Sequence, residues 1–192
     1  MHSPQQAHAN MHIKGGLLRA RFLFILLNHG AEVWAKIIAR LSEEDREALN
    51  EIDIDNWYSL ATLDRVDNAI ASELGGNRED ILTALGEFSA TSSLSGPFSS
   101  LINSDIHGFL TQTALIHRSY QDFGTATYEV LSDNSGLLKI DYEDAPPISY
   151  CTSGTAYFRR AIELCGAQNA RITHTRCSGR GDAVCEFYAT WQ

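Results

Sequence analysis

Apolar positions recur at intervals of three and four over the first two-thirds of the chain and at intervals of two only towards its end. Leu17, Leu18, Phe22, Ile25 and Leu26 form one helical stripe, which His29-Gly30 stops with a residue free to take positive φ. Trp34, Ile37, Ile38 and Leu41 predict a second helix. Ser42-Glu-Glu-Asp45 reads as the capping box of a short acidic third, and residues 53–59 as a connection. Two more helices follow, one from Thr62 to Leu74 stopped by Gly75-Gly76, and one from an Asn77 cap to about Ser89. The Ser-rich stretch with Gly96-Pro97 reads as a bend. Between Asp105 and Phe123 the residues Ile106, Phe109, Thr113, Ile116, Tyr120 and Phe123 predict one long helix ending at Gly124.

The period then changes. Residues 125–132 and 136–142 read as a hairpin, 149–164 as a helix stopped by Gly166, and 170–177 with 183–191 as a second hairpin. The expected fold is α+β, with N-terminal helices packed on a C-terminal β-β-α-β-β antiparallel sheet. Residues 1–13 read as a flexible N-terminus and 14–192 as one ligand-binding domain.

Composition narrows the function classes. The 192 residues are 44% hydrophobic and 20% charged, as in ordinary globular proteins, and a net charge of -9 excludes a non-specific nucleic-acid binder. Phe22 to Leu27, the longest apolar run, is too short to span a bilayer and has Arg19 and Arg21 beside it. With a polar start that lacks a signal-peptide pattern, the expectation is a cytoplasmic protein without membrane insertion.

Candidate chemistry concentrates in the cysteines. Cys151, Cys177 and Cys185 follow a Cys-x25-Cys-x7-Cys pattern whose last two members flank a turn, Ser178-Gly-Arg-Gly-Asp182. These are three of the four ligands of a closed structural zinc site, or else three buried thiols. Glu129 is the best upstream fourth ligand, with Asp182 or water as alternatives. Cys165 lies at the far end of the helix that starts near Cys151 and reads as a buried apolar residue.

His107 and His117 fall on different faces of the long helix. His117 borders the apolar stripe and is the one placed to point into a pocket, whereas His174 reads as solvent-facing. No nucleophile elbow, phosphate loop or His-Glu-x-x-His motif occurs, so a non-catalytic module is expected. A pocket between the long helix and the sheet would draw on Phe22, Trp34, Phe109, Thr113, Ile116, His117, Tyr120, Tyr128 and Tyr157.

The runs Cys151-Thr-Ser-Gly154, Cys177-Ser-Gly-Arg-Gly-Asp182 and Cys185-Glu-Phe187 resemble the 4-vinyl reductase domain family, which includes the sensory domains of phenol-responsive activators and is related in fold to TRAPP-complex subunits and haem-nitric-oxide domains. A similar pattern occurs in uncharacterised myxobacterial paralogues. The resemblance implies a zinc held by Cys151, Cys177, Cys185 and Glu129. Lys14-Gly15-Gly-Leu and Gly30-Ala-Glu-Val-Trp34 are similar to the opening of haem-nitric-oxide domains, in which a histidine of a long helix binds haem iron; His117 falls at a similar place, while that family's Tyr-x-Ser-x-Arg motif does not occur.

The expected function is a zinc-stabilised sensory module for a small apolar or aromatic ligand, signalling through a partner protein or a homodimer. The alternatives are a haem-based gas sensor using His117 and a TRAPP-like interaction scaffold. Enzymatic reduction ranks last, because no nicotinamide or flavin motif is present.

Overall fold

The computed structural model describes residues 8–96, 99–102 and 105–192. The first part of the expected flexible N-terminus, 1–7, and Pro97 of the expected bend lie outside the described residues.

Small polar residues and glycines set most helix ends. Helix α1 (Gly16–Asn28) closes before Gly30, whose φ of 89° turns the chain directly into α2 (Ala31–Ala39). Ser42 accepts the Asp45 N–H at 3.2 Å to start α3 (Glu43–Asn50), and Ser59 caps α4 (Leu60–Leu74). Asn77 caps α5 (Arg78–Leu94) by accepting the Glu79 N–H at 2.9 Å, and Asp105 caps α6 (Ile106–Leu115). Helix α7 (Ile148–Leu164) begins after Pro147. Each cap satisfies an N–H that the first helical turn leaves open.

Two sheets result. A small one pairs β1 (His12–Lys14) with β2 (Trp57–Ser59). The larger contains β3 (Thr125–Ser132), β4 (Ser135–Asp141), β5 (Arg171–Arg176) and β6 (Cys185–Thr190), all antiparallel in the order β3-β4-β6-β5. Helix α7 connects the two hairpins and packs along α5, which in turn carries α1. The architecture is therefore helices on a C-terminal antiparallel sheet with β-β-α-β-β connectivity.

The expected long helix over 105–123 is shorter. Helix α6 stops at Leu115, a single 3₁₀ turn covers His117–Ser119, and the chain then straightens. Backbone pairing explains the break: Lys14 N–H donates to Tyr120 O at 2.8 Å, Asp122 N–H donates to His12 O at 3.0 Å, and Ile13 bridges Gln121. Residues 120–122 thus satisfy their backbone against β1, which a continuing helix would forbid. His12 and Ile13, expected within a loose terminus, are part of this pairing, and Ile13 is fully buried.

Close approach of α5 and α7 needs Gly86. A Cβ at this position would lie 2.1 Å from the Ser153 carbonyl oxygen and 3.0 Å from the Ala156 Cβ. Backbone cannot yield as a flexible side chain does, so Gly86→Ala is expected to cost about 1–3 kcal/mol by forcing the helices apart. Urea unfolding of the variant checks this.

Candidate functional site: an apolar cavity beside a buried thiol cluster

Separation of the helices from the sheet leaves a cavity of about 620 Å³. Its apolar wall includes Leu17, Phe109, Ile116, Ile140, Phe158 and Phe187, and Lys14, Arg19, Ile54 and Asp55 reach it from more exposed positions. This volume falls in the range of small-molecule sites. No helix among the described residues is long and apolar enough to cross a membrane.

Arg21 supplies the main buried charge at the cavity. It lies on α1 three residues after Leu18 and four before Ile25, so helical geometry points it inward with them. Both Arg21 and Asp67 are 1% exposed, and they form a two-point pair, Nε to Oδ1 at 2.9 Å and Nη2 to Oδ2 at 3.1 Å. Nη1 donates to Ser89 Oγ at 2.6 Å and Nη2 to Ser153 Oγ at 3.2 Å. The guanidinium joins α1, α4, α5 and α7 at the cavity wall, and its charge is neutralised by Asp67.

His117 lines the same cavity from the 3₁₀ turn after α6. Its Nε2 donates to the Phe123 carbonyl at 3.1 Å. Gln121 Nε2 lies 2.8 Å from Nδ1 and 2.6 Å from Nε2, while its Oε1 accepts from the Tyr150 hydroxyl. Burial, aided by Arg118, holds the imidazole below its ordinary pKa of 6.5 against the opposing Phe123 carbonyl, so the ring is neutral near pH 7.

The unfolded chain consequently takes up this proton at higher pH than the folded one. Stability from the neutral ring is fully present above about pH 6.5 and is lost as pH falls through the folded value. Urea midpoints measured across this window should fall more steeply for the native sequence than for His117→Gln.

Other residues proposed from sequence separate cleanly. Phe109, Thr113, Ile116, Tyr120 and Tyr157 line the cavity with His117. Phe22, Trp34 and Tyr128 do not. Phe22 and Trp34 pack edge to face at 5.3 Å where α1 meets α2, and Tyr128 points its hydroxyl to His107 Nδ1 at 2.7 Å. Burial, with Asp105 adding to it, pushes the Tyr128 phenol up to about 12. Arg21, Gln121, Tyr142 and Tyr150 also line the cavity and were missed. An arginine at helical spacing within an apolar stripe was the available signal for Arg21.

Behind Phe187 the cysteines converge. The ligand atoms of Cys151, His174, Cys177 and Cys185 all lie within 4.8 Å of one another, and the Cys151 and Cys185 sulfurs are 3.9 Å apart. His174 corrects the expectation of a solvent-facing residue. It is paired with Phe187 across β5 and β6, shares that residue's inward parity, and stacks on its ring at 4.3 Å. Its Nε2 is buried without a hydrogen-bond partner of ordinary geometry.

Within the cluster the Cys151 hydrogen bond draws the Cys185 thiol down, helped by His174 and by the Ser178 hydroxyl and N–H at 3.2 and 3.4 Å. Donating that bond, and burial after it, push Cys151 up. One proton shared between two close sulfurs accounts for the opposed directions. Glu129 is absent from the group: it is exposed on β3 opposite Leu137, the outward parity of that strand. Cys165 sits apart in a second apolar cluster with Ile162 and Trp191.

These features define an α+β domain with a ligand-sized apolar cavity between its helices and an antiparallel sheet. No protein-family model matches the chain, and no curated protein matches it. Solved structures do. An H-NOX protein from Shewanella oneidensis in the Fe(II)NO ligation state superimposes with a TM-score of 0.75 at 16% identity, covering 94% of this chain and 99% of that one. The unliganded Fe(II) H-NOX protein from K. algicida gives 0.65 at 13% identity, covering 94% and 97%. At such identities the likeness establishes the fold.

Two expectations are thereby corrected. The fold is that of the haem-nitric-oxide proteins, and the reading of a 4-vinyl reductase domain gives way to it. The structural zinc held by Cys151, Cys177, Cys185 and Glu129 is withdrawn as well: Glu129 lies outside the cluster, and the solved proteins of this fold are described by their iron ligation.

Proposed function

We propose that this protein is a non-catalytic sensory module whose cavity holds a haem with His117 as the axial ligand. One observation carries the reading: a neutral, buried imidazole borders a mostly apolar cavity of about 620 Å³, in a fold shared with iron-ligating H-NOX proteins.

The residues present suit that group. A metal-binding histidine ordinarily anchors one ring N–H on a carbonyl or carboxylate, which fixes its tautomer and aim, and Phe123 O serves His117 Nε2 in this way. Phe109, Ile116 and Phe187 offer a dry wall to a flat apolar macrocycle. Lys14 and Arg19 are the cations available to its carboxylates. Arg21 is already paired with Asp67 and remains a structural group. Haem iron would supply a coordination position for a diatomic gas. A module of this kind acts through a partner protein or a second copy of the chain.

Reconstitution tests the proposal. After haem addition and gel filtration, the native protein is expected to keep a Soret band that shifts in His117→Gly and is restored by added imidazole. A protein that retains no haem, or a His117→Gly variant with an unchanged spectrum, would overturn it.

A further inference from the structure

The more exposed wall of the cavity carries a binding role of its own, which rests on the haem reading. Lys14 reaches this wall from β1 and Arg19 from the first turn of α1, beside Ile54 and Asp55. Both cations sit on aromatic faces. The Lys14 ammonium lies 4.2 Å from the centre of the Trp57 ring and donates one of its three N–H groups to the Asp55 carbonyl, while the Arg19 guanidinium lies 5.0 Å from the centre of the Phe22 ring. An aromatic face steadies a cation and leaves its charge uncompensated. Among the described residues neither Lys14 nor Arg19 forms an ion pair, whereas Arg21 on the same cavity is neutralised by Asp67. In a chain of net charge -9 carboxylates are plentiful, so two cations left without one at a single cavity mouth point to an anion brought by the ligand.

The support beneath Lys14 is rigid. Gly15 N–H donates to Asn56 O at 2.9 Å and Gly16 N–H to Ile54 O at 3.2 Å, which seats the 53–57 segment on the start of α1. A Cβ on Gly15 would lie 2.0 Å from the Asp53 carbonyl oxygen, so only glycine permits this approach. Asp55 and Trp57 are thereby fixed against Lys14, and its other two N–H groups have no partner among the described residues. We propose that Lys14 and Arg19 form an anion subsite that orients the ligand, so that the cavity takes an acidic amphipath in preference to a neutral molecule of the same shape. The ligand's carboxylates meet the two cations at the mouth, and its apolar body lies against the buried Ile140 and Phe187.

Metal-free protoporphyrin IX and its dimethyl ester share one ring and differ in the charge of two side chains, so they probe the subsite without iron and without His117. Quenching of tryptophan fluorescence reads their binding. The native protein is expected to bind the diacid about ten-fold more tightly than the diester, the scale of two partly solvated ion pairs, and sodium chloride should shrink the preference. Lys14→Gln/Arg19→Gln should bring the two affinities within about two-fold by weakening the diacid alone. Lys14→Arg/Arg19→Lys keeps both charges and should keep most of the preference.

Cations with a purely structural role predict a different pattern, in which Lys14→Gln/Arg19→Gln loses diacid and diester alike. That result would overturn the subsite, as would a double variant that keeps the native preference, or native protein that binds the two porphyrins equally or binds neither. None of these outcomes touches the haem reading, which the His117→Gly spectrum decides. Native preference for the diacid, lost in the glutamine variant, together with an unchanged His117→Gly spectrum would keep the subsite and remove the axial ligand.

Discussion

Asp67→Ala is expected to lower stability by about 3–5 kcal/mol, because it leaves the Arg21 guanidinium charged and unpaired in a site where both residues are 1% exposed. The pair spans α1 and α4, and its outer bonds reach α5 and α7 through Ser89 and Ser153, so the loss should propagate to the cavity wall. Arg21→Met/Asp67→Leu provides the contrast. It removes both charges together, and Ser89 and Ser153 still bond the carbonyls of Leu85 and Tyr150 at 2.8 and 3.2 Å. The double variant should therefore unfold close to the native midpoint in urea. A loss under about 1 kcal/mol for Asp67→Ala would mean that water reaches Arg21 and completes its solvation.

Phe187→Ala should cost a similar amount, about 3–5 kcal/mol, through lost burial and an enlarged void. Its ring is the partition between the two functional regions. On one side it lines the cavity and meets Phe158 edge to face at 5.3 Å, and on the other it stacks on His174 at 4.3 Å with planes 12° apart. Removing it joins the cavity to the space over the thiols and frees the His174 ring. Thermal or urea unfolding measures the cost, and Phe187→Leu should recover most of it. An alanine variant as stable as the native protein would show that neighbouring side chains collapse into the gap.

Much of the fold was legible because its signals are local. Asn77, Ser42, Gly30 and Gly75 announce helix ends through side-chain capping or permitted φ, and such effects depend on a few neighbouring residues. The hairpins followed from period-two alternation, and the turn between Cys177 and Cys185 brought their sulfurs together as expected. Misreadings occur where partners are distant. Helix α6 ends early because β1, some hundred residues upstream, claims the backbone of residues 120–122. Glu129 and His174 were assigned to the wrong sides of their strands, since parity is fixed only by the partner: His174 faces inward because it is opposite Phe187, and Glu129 outward opposite Leu137.

The site divides along the same line. Five residues of α6, its following turn and α7 that line the cavity beside His117 were visible as an apolar stripe or as aromatics, whereas Phe22, Trp34 and Tyr128 are equally apolar and lie elsewhere. Hydrophobicity states that a side chain will be covered, and it does not state by what.

By itself the chain determined most of its helix starts, its β-β-α-β-β order and the turn that joins Cys177 to Cys185, all consequences of short-range backbone preference and spacing. Tertiary structure alone decided that Arg21 meets Asp67, that Tyr150 meets Gln121, and that His174 takes the place expected for Glu129. Those outcomes turn on contacts between segments far apart in sequence, where register and helix crossing, which no local pattern encodes, choose which polar atoms are buried together.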